Sequence, residues 1–180
     1  MRIISGKWRG KQIQAPEKLP ARPTTDRAKE SLFNWLQFRI DFDGISVLEL
    51  FSGTGNISYE FISRGADLVV AIDENHYCVR FIDKTFKALQ ADSAEVMQME
   101  VLAALKMMSR DFDIVFADPP YDFQHYDELI SLVMGNKLVK EDGWFILEHA
   151  AEFNPSSHEG FYETRKYGKV HFSYFSILNS

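Results

Sequence analysis

The segment Asp118-Pro119-Pro120-Tyr121 carries the residue types in this chain best suited to chemistry. Two prolines fix two φ angles, and the first also disfavours the helical region at Asp118, so a rigid, extended segment is expected. Because prolines have no N–H, the Asp118 carboxylate and a nearby carbonyl, that of Pro119, offer acceptors to both protons of an –NH2 group. This would align the nitrogen lone pair with an electrophile, which lowers a reaction barrier. Tyr121 can stack on a planar base; a proline-stiffened turn with a solvated Asp118 is the alternative.

A second segment, Phe51-Ser52-Gly53-Thr54-Gly55, has the composition of a ligand-binding loop. It lies between a predicted strand and a predicted helix, and ligands of α/β sheets bind outside the carboxyl ends of the strands. Gly53 and Gly55 would let the backbone turn tightly and approach a ligand without a Cβ in the way. A Gly-x-Gly pair occurs in many turns, so its setting between strand and helix is what favours a binding site.

Two acids accompany this loop. Asp73 ends the second predicted strand, where a carboxylate can accept hydrogen bonds from ribose hydroxyls, so it indicates a nucleoside-containing cofactor without identifying it. Ser58 stands where the dinucleotide fingerprint Gly-x-Gly-x-x-Gly has its third glycine, which counts against NAD. Glu49 lies within an apolar strand, which is costly unless the acid is paired or functional. It could hold the loop through backbone N–H groups or contact a cofactor amino group, and a structural ion pair is an equal alternative.

The hydrophobic pattern predicts the scaffold that positions these residues. Strands are predicted at 47–50, 68–72, 94–97, 114–117, 144–148, 161–167 and 170–178. Helical spacing separates most of them, and a first helix is expected to begin near Asp26 with Thr25 or Asp26 as its N-cap. The last two strands flank Gly168-Lys169, as in a hairpin. The alternation indicates an α/β fold with a doubly wound, mostly parallel sheet and a closing antiparallel hairpin.

Length and composition favour one globular domain of 180 residues, 46% of them hydrophobic. No apolar run is long enough to span a bilayer, and the first residues lack the apolar stretch of a signal peptide. The single cysteine, Cys78, suits a reducing compartment. No cluster has the ligand spacing of a zinc site, so no metal is expected. We expect a soluble, cytoplasmic monomer.

The formal charge of −6 is unevenly distributed. Up to Glu30, eight basic residues stand against three acidic ones, a charge of +5, which leaves −11 for the remainder. Local potential steers binding, so a basic arm on an acidic body indicates contact with a polyanion. We interpret residues 1–25 as a basic extension, with a small hairpin between 3–4 and 12–14, and residues 26–180 as the main domain. A solvated tail is the alternative for the extension.

Four segments carry a resemblance to a known family. They are M-R-I-I-S-G-K-W-R-G-K at the start, R-P-T-T-D-R from Arg22, V-L-E-L-F-S-G-T-G from Val47 and F-A-D-P-P-Y from Phe116. In these, and over nearly its whole length, the chain resembles the bacterial 16S rRNA guanine-N2 methyltransferases of the RsmD type. The arm and R-P-T-T-D-R are specific to that family, whereas the glycine loop and D-P-P-Y are shared by many amino-methyltransferases.

The resemblance implies a Rossmann-like class I methyltransferase fold with a seven-stranded sheet and S-adenosylmethionine as the methyl donor. It implies that the target guanine is received by Asp118, Pro119, Pro120 and Tyr121. In the family an acid after the third strand meets the adenine amino group, and Glu100 falls there with Val101 beside it; Asp92 and Glu95 are nearby alternatives. The expected donor contacts are Glu49, Phe51, Ser52, Gly53, Gly55, Asp73, Glu100 and Val101.

The resemblance also implies an RNA substrate, either small-subunit rRNA or a partly assembled small subunit. We expect Arg22 and Thr24 to fold over the cleft, and Arg9 and Lys11 to contact the RNA backbone, which would make binding salt-dependent.

Three other functions have to be weighed. A DNA adenine or cytosine N-methyltransferase also uses D-P-P-Y, but the chain has no room for a separate target-recognition domain. A non-catalytic RNA-binding module on the same fold would not need the complete loop and tetrad. An NAD(P) oxidoreductase is disfavoured by Ser58. Glu148 and His149 follow a predicted strand and could line the cleft, although a capped strand end accounts for them better.

Overall fold

The computed structural model describes residues 1–17, 19, 24–168 and 170–177. The helices are α1 (Asp26–Leu36), α2 (Asn56–Arg64), α3 (His76–Leu89), α4 (Val101–Met107) and α5 (Tyr126–Gly135). The strands are β1 (Ser46–Leu50), β2 (Leu68–Asp73), β3 (Ala94–Gln98), β4 (Phe112–Ala117), β5 (Val139–His149), β6 (Phe161–Tyr167) and β7 (Val170–Phe175). In the part of the chain that is described, no helix is both long and apolar enough to cross a membrane.

All seven strands form one sheet in the order β3-β2-β1-β4-β5-β7-β6. The five strands from β3 to β5 are parallel, β7 runs antiparallel to β5, and β6 pairs with β7 as the closing hairpin. The predicted seven-stranded, mostly parallel sheet with a terminal antiparallel hairpin is confirmed. Strand order reverses between β1 and β4, which is where ligands of doubly wound sheets bind.

Helices cover both faces of the sheet, as alternating side chains of the strands require. In β1, Val47 packs with α1, α2 and α3, whereas its neighbour Leu48 packs with α4 and α5. Successive strand residues face opposite sides, so a strand covered on both faces is apolar throughout. β1 is buried along its whole length, and Glu49 is its one ionisable residue.

Two elements differ from the sequence-based expectation. α4 was not predicted, because its seven residues follow β3 directly and give too short a helical pattern. β5 begins at Val139 rather than near 144, because the register between β4 and β5 shifts after Phe112 and allows five more residues to join the strand. Asp142, with a φ of 63°, lies in this irregular part.

The first seventeen residues contain the small hairpin that the sequence suggested. Arg2 and Gln12 form an antiparallel bridge, and Ile3 and Ile13 are buried in the core shared by α1, α2 and α3. Gly6 has a φ of 81° and lies so close to α2 that a Cβ there would overlap the carbonyl oxygen of Ser63. This hairpin is therefore packed on the domain and is not a solvated tail.

A buried charge pair joins the hairpin to α1 and α2. Lys29 and Glu60 are fully buried, with Nζ 3.4 Å from Oε2. Glu60 also accepts hydrogen bonds from the backbone N–H groups of Ile4 (2.8 Å) and Ser5 (3.0 Å). Burial lowers the pKa of Lys29, and the neighbouring Glu60 opposes that shift. A charge buried this deeply is tolerated only while its partner is present.

Glu60→Gln should lower the free energy of unfolding by about 3 kcal/mol, because it leaves the buried Lys29 ammonium without a counter-charge. The matched control is Asp83→Asn, which breaks the exposed pair between Asp83 and Lys87 and should cost less than about 1 kcal/mol. Urea denaturation measures both. Equal losses in the two variants would contradict the structural importance of the buried pair.

Candidate active site

The predicted site segments meet at one edge of the sheet. The glycine loop leaves the carboxyl end of β1, Asp73 is the last residue of β2, and Asp118 follows β4 directly. Because these parallel strands are neighbours in the order β2-β1-β4, the three segments surround the point where strand order reverses. This is the position from which a sheet of this kind presents a ligand.

The glycine loop is held in a fixed conformation. Ser52 Oγ donates to the carbonyl of Glu49 (2.9 Å) and lies 3.1 Å from that of Ile72, so it ties β1 to β2. Gly55 has a φ of 73°, and a Cβ there would lie 2.8 Å from the ring and hydroxyl of Tyr59. Only glycine suits both the conformation and the space. The loop therefore turns sharply into α2, and the backbone around Gly53 and Gly55 is not shielded by side chains of their own.

Asp73 connects the loop to the start of α3. Its Oδ2 accepts a hydrogen bond from the N–H of Gly53 (2.7 Å), and its Oδ1 accepts one from the N–H of Asn75 (2.8 Å). A carboxylate has about four acceptor positions, so two remain for a ligand. The expected contact with ribose hydroxyls is compatible with this arrangement and remains a prediction.

Glu49 adopts the first of the roles considered for it. The side chain is buried and accepts hydrogen bonds from the backbone N–H of Ser58 (3.0 Å) and from the Ser58 hydroxyl. These contacts satisfy a free N–H in the first turn of α2. Burial raises the pKa of Glu49 to about 8, against the opposing effect of the Ser58 hydrogen bonds. Ser58, which departs from the dinucleotide fingerprint, is thus the partner of the buried acid.

Glu100 is the N-cap of α4. Its two oxygens accept hydrogen bonds from the N–H groups of Leu102 and Ala103, each at 2.8 Å. It follows the carboxyl end of β3, on the cleft side of the sheet, whereas Asp92 precedes β3 and Glu95 is its second residue. The topology thus favours Glu100 among the three acids proposed for the adenine contact.

The catalytic segment presents an acid and an aromatic ring. Asp118 is partly buried, and burial raises its pKa to about 7 against the opposing effect of the neighbouring Thr24 side chain. Pro119 is buried beneath it. Tyr121 is 92% exposed, so its ring is free to stack on an incoming base. The carbonyl of Thr24 accepts from Asn56 Nδ2 at 2.9 Å; the expected contact of Thr24 with RNA remains a prediction, and Arg22 lies outside the described residues.

Glu148 is a residue of this edge that the sequence interpretation passed over as part of a capped strand end. Ala117 of β4 pairs with Leu147 of β5, so Asp118 and Glu148 are neighbours at the ends of adjacent strands. Its Oε2 atom is enclosed and has no hydrogen-bond partner within the described residues. Burial, and then the charge of Asp118, raise the pKa of Glu148 to about 8. The signal available in the sequence was that Glu148 is an acid at the end of the predicted strand that follows the one before Asp118.

His149, by contrast, has a structural role. Its Nε2 lies 2.7 Å from Ser173 Oγ on β7, and its Nδ1 lies 2.8 Å from the carbonyl of Ala150. Burial lowers the pKa of His149. Both ring nitrogens are occupied, so this residue closes the end of β5 as the sequence suggested.

Comparison with known proteins agrees with this geometry. The family described as conserved hypothetical protein 95 matches residues 1–176. The chain is 34% identical to the ribosomal RNA small subunit methyltransferase D of Haemophilus influenzae, over 82% of this chain and 78% of that protein. It is 32% identical to the protein of the same name from Escherichia coli, over 84% of this chain and 76% of that protein.

Solved structures share the fold. The Escherichia coli protein yhhF, described as a candidate methyltransferase, superposes with a TM-score of 0.84 at 28% identity and covers 97% of this chain and 96% of its own. Structures below 25% identity that have the same fold include complexes with AdoMet and with SAH; that likeness concerns the fold alone.

The two neighbouring carboxyls predict a pH dependence of stability. In an unfolded chain they titrate near pH 4, whereas the pKa is about 7 for Asp118 and about 8 for Glu148 in the fold. The folded protein therefore binds more protons between these values, so the free energy of unfolding falls as the pH rises through them.

The double variant Asp118→Asn/Glu148→Gln should show a weaker fall, because its amides bind no proton. The fall should persist in part through Glu49, whose pKa is about 8. Thermal melting between about pH 5 and pH 9 measures the slope, with exposed Glu152→Gln as the control that keeps the wild-type slope. Parallel curves for the wild type and the double variant would contradict the assignment of these shifts.

Proposed function

The chain belongs to the conserved hypothetical protein 95 family, and from that premise we propose that it methylates the exocyclic N2 amine of a guanine in 16S rRNA. The relatives from Haemophilus influenzae and Escherichia coli are named ribosomal RNA small subunit methyltransferase D, which supports this substrate. The observation that carries the reaction is the position of Asp118-Pro119-Pro120-Tyr121. This segment leaves β4 beside the glycine loop of β1, so an amine acceptor site adjoins a nucleoside-binding loop.

The residues of the loop edge fit S-adenosylmethionine, which supplies a sulfonium methyl group when bound. We assign Gly53 and Gly55 to close backbone approach, Asp73 to the ribose hydroxyls, and Glu100 with Val101 to the adenine. Phe51 and Ser52 complete the loop. Glu49 supports it from below through Ser58. The unused acceptor positions of Asp73 and the sharp turn at Gly55 are the features of this chain that support the assignment.

On the acceptor side, Asp118 and the Pro119 carbonyl receive the two protons of the amine. Neither Pro119 nor Pro120 has an N–H that would compete for the nitrogen lone pair, which is left facing the methyl donor. Transfer would exchange the methyl–sulfur bond of the donor for a bond to the amine nitrogen and leave a neutral thioether. The nitrogen would then lose one proton, which Asp118 can accept because its pKa is about 7. Tyr121 holds the base by stacking. The base must be single-stranded or extruded to reach this depth.

The N-terminal hairpin and α3 provide a path for the RNA backbone. Lys11, Arg80 and Lys84 line a groove between them, together with the apolar residues Ile13 and Phe81. Asp83 also lines the groove, but it is paired with Lys87. Arg9 is exposed at the turn of the hairpin. A basic groove with apolar parts suits a single-stranded segment, whose phosphates and bases need both kinds of contact.

The alternatives are weaker. A DNA adenine or cytosine N-methyltransferase would share the tetrad, but the names of the relatives favour ribosomal RNA. A non-catalytic RNA-binding module would give no role to the neighbouring acids Asp118 and Glu148 at the ends of β4 and β5. We further propose that the enzyme acts as a cytoplasmic monomer on small-subunit rRNA, free or in a partly assembled subunit.

Labelled S-adenosylmethionine supplied with naked 16S rRNA, assembled small subunits or duplex DNA tests the activity. We expect N2-methylguanosine in small-subunit RNA, identified after digestion to nucleosides. Methyladenine or methylcytosine in DNA would refute the proposed substrate.

Asp118→Ala should lower methyl transfer by at least about a hundredfold, because the amine is no longer aligned. Donor binding, measured by calorimetry, should be nearly unchanged, since Asp118 lies outside the glycine loop. The control Asp122→Ala removes an exposed acid of the following loop and should be fully active. A parallel loss of donor binding would show that Asp118 serves the cofactor site or the fold.

Neutralising the hairpin with Arg9→Ala/Lys11→Ala should weaken RNA binding and reduce the slope of log K against log salt by about 1 to 2, because two phosphate contacts are lost. Lys106→Ala/Lys137→Ala removes the same charge near α4 and α5 and serves as the control. An unchanged salt slope in the hairpin variant would show that Arg9 and Lys11 do not contact the RNA backbone.

A further inference from the structure

Glu148 is a half-buried acid of the active-site edge to which the reaction as described gives no role. It follows the residue that pairs with Ala117, so its side chain and that of Asp118 stand next to each other at the carboxyl ends of β5 and β4. The Oε2 atom is enclosed and without a hydrogen-bond partner among residues 1–17, 19, 24–168 and 170–177. Enclosed polar atoms are paired in nearly all native structures, so an unpaired one at a site indicates a ligand group that pairs with it.

No basic side chain in the described part of the chain neutralises this pair of acids. The ion pairs found there include neither Asp118 nor Glu148. The pKa of Glu148 is raised first by burial and then by the charge of Asp118. Two adjacent buried carboxyls repel each other when both are ionised, and hydrogen-bond donors placed between them relieve that cost. The free site therefore lacks donors that a ligand could supply.

We propose that Glu148 reads the Watson–Crick edge of the target base by accepting the N1–H of guanine while Asp118 accepts from the N2 amine. This inference rests on the proposed guanine methyltransferase function and adds a specificity-determining residue to it. Guanine presents N1–H and N2–H2 side by side, and two neighbouring carboxyls match that row of donors. The N–H donors favour the ionised form of Glu148 once the base is bound.

The same geometry rejects the other amino bases. In adenine the ring nitrogen beside the amine is N1, and in cytosine it is N3; both are acceptors. Above its pKa of about 8 Glu148 is ionised, and an acceptor facing the carboxylate leaves two lone pairs opposed in an enclosed site, which is unfavourable. Asp118 alone binds an amine of any base, so the choice of guanine depends on Glu148 in its ionised form.

The test uses the analogue 2-aminopurine, which keeps the N2 amine but has an acceptor at N1 and no oxygen at C6. A synthetic small-subunit RNA segment that the wild-type enzyme methylates is prepared with guanine or 2-aminopurine at the mapped target position. Wild type, Glu148→Gln and the exposed control Glu152→Gln are compared at about pH 9, where the wild-type acid is ionised, by the ratio of kcat/KM for the two RNAs.

We expect wild type and Glu152→Gln to prefer guanine, and Glu148→Gln to lose at least about tenfold of that preference, since the carboxamide can donate to the N1 acceptor. If Glu148→Gln turns over neither RNA, the ratio of their binding affinities, measured by competition, replaces the kinetic ratio. An unchanged ratio in Glu148→Gln, or an equal change in Glu152→Gln, overturns the inference. Absence of N2-methylguanosine with wild type overturns the proposed function instead, so the two failures are distinguishable.

Discussion

The buried pair Lys29–Glu60 is the interaction on which the arrangement of the active site depends. Glu60 fixes the N-terminal hairpin through two backbone N–H groups, and Lys29 Nζ donates to Asn56 Oδ1 at 2.8 Å. Asn56 in turn donates to the carbonyl of Thr24. A continuous set of hydrogen bonds thus runs from the hairpin to the segment before α1. Thr24 lies close enough to Asp118 to lower its pKa against the effect of burial, so the first residues of the chain help to hold the surroundings of that acid.

Five acids lie along the carboxyl edge of the sheet, and their surroundings differ. Glu49 is enclosed below the loop and bound to Ser58, Glu100 caps α4, and Asp73 uses two backbone N–H groups and keeps acceptor positions free. Asp118 and Glu148 lie half-buried on adjacent strands with few donors around them. The surroundings of a carboxyl, rather than its residue type, decide whether it supports the backbone, as Glu49 does, or is left with free acceptors. Asp118 and Glu148 differ from Glu49 in having few hydrogen-bond donors around them.

The sequence was informative wherever a pattern was long or stiff. The strand before Asp118 and all the covering helices except α4 follow from apolar periodicity. The two prolines fix the segment after that strand, and strand–helix alternation predicts the mostly parallel sheet. The sequence could not predict pairs of residues that meet only when distant segments pack together. Lys29 resembles any charged helix residue until Glu60 is packed against it, 31 positions later. Glu148 resembles a strand-end acid until the register of β4 and β5 places it beside Asp118.

The same contacts change how the charge of the chain should be interpreted. Of the basic residues before α2, Lys29 is neutralised within the core, and Arg2 lies 3.6 Å from Glu30. Fewer positive charges are therefore free to meet a polyanion than the count of +5 suggests. Lys7, Arg9 and Lys11 are exposed on the hairpin, and Lys11 lines the groove beside α3. An acidic protein can meet RNA in this way, because a small basic surface orients the strand while the acidic remainder disfavours contact elsewhere.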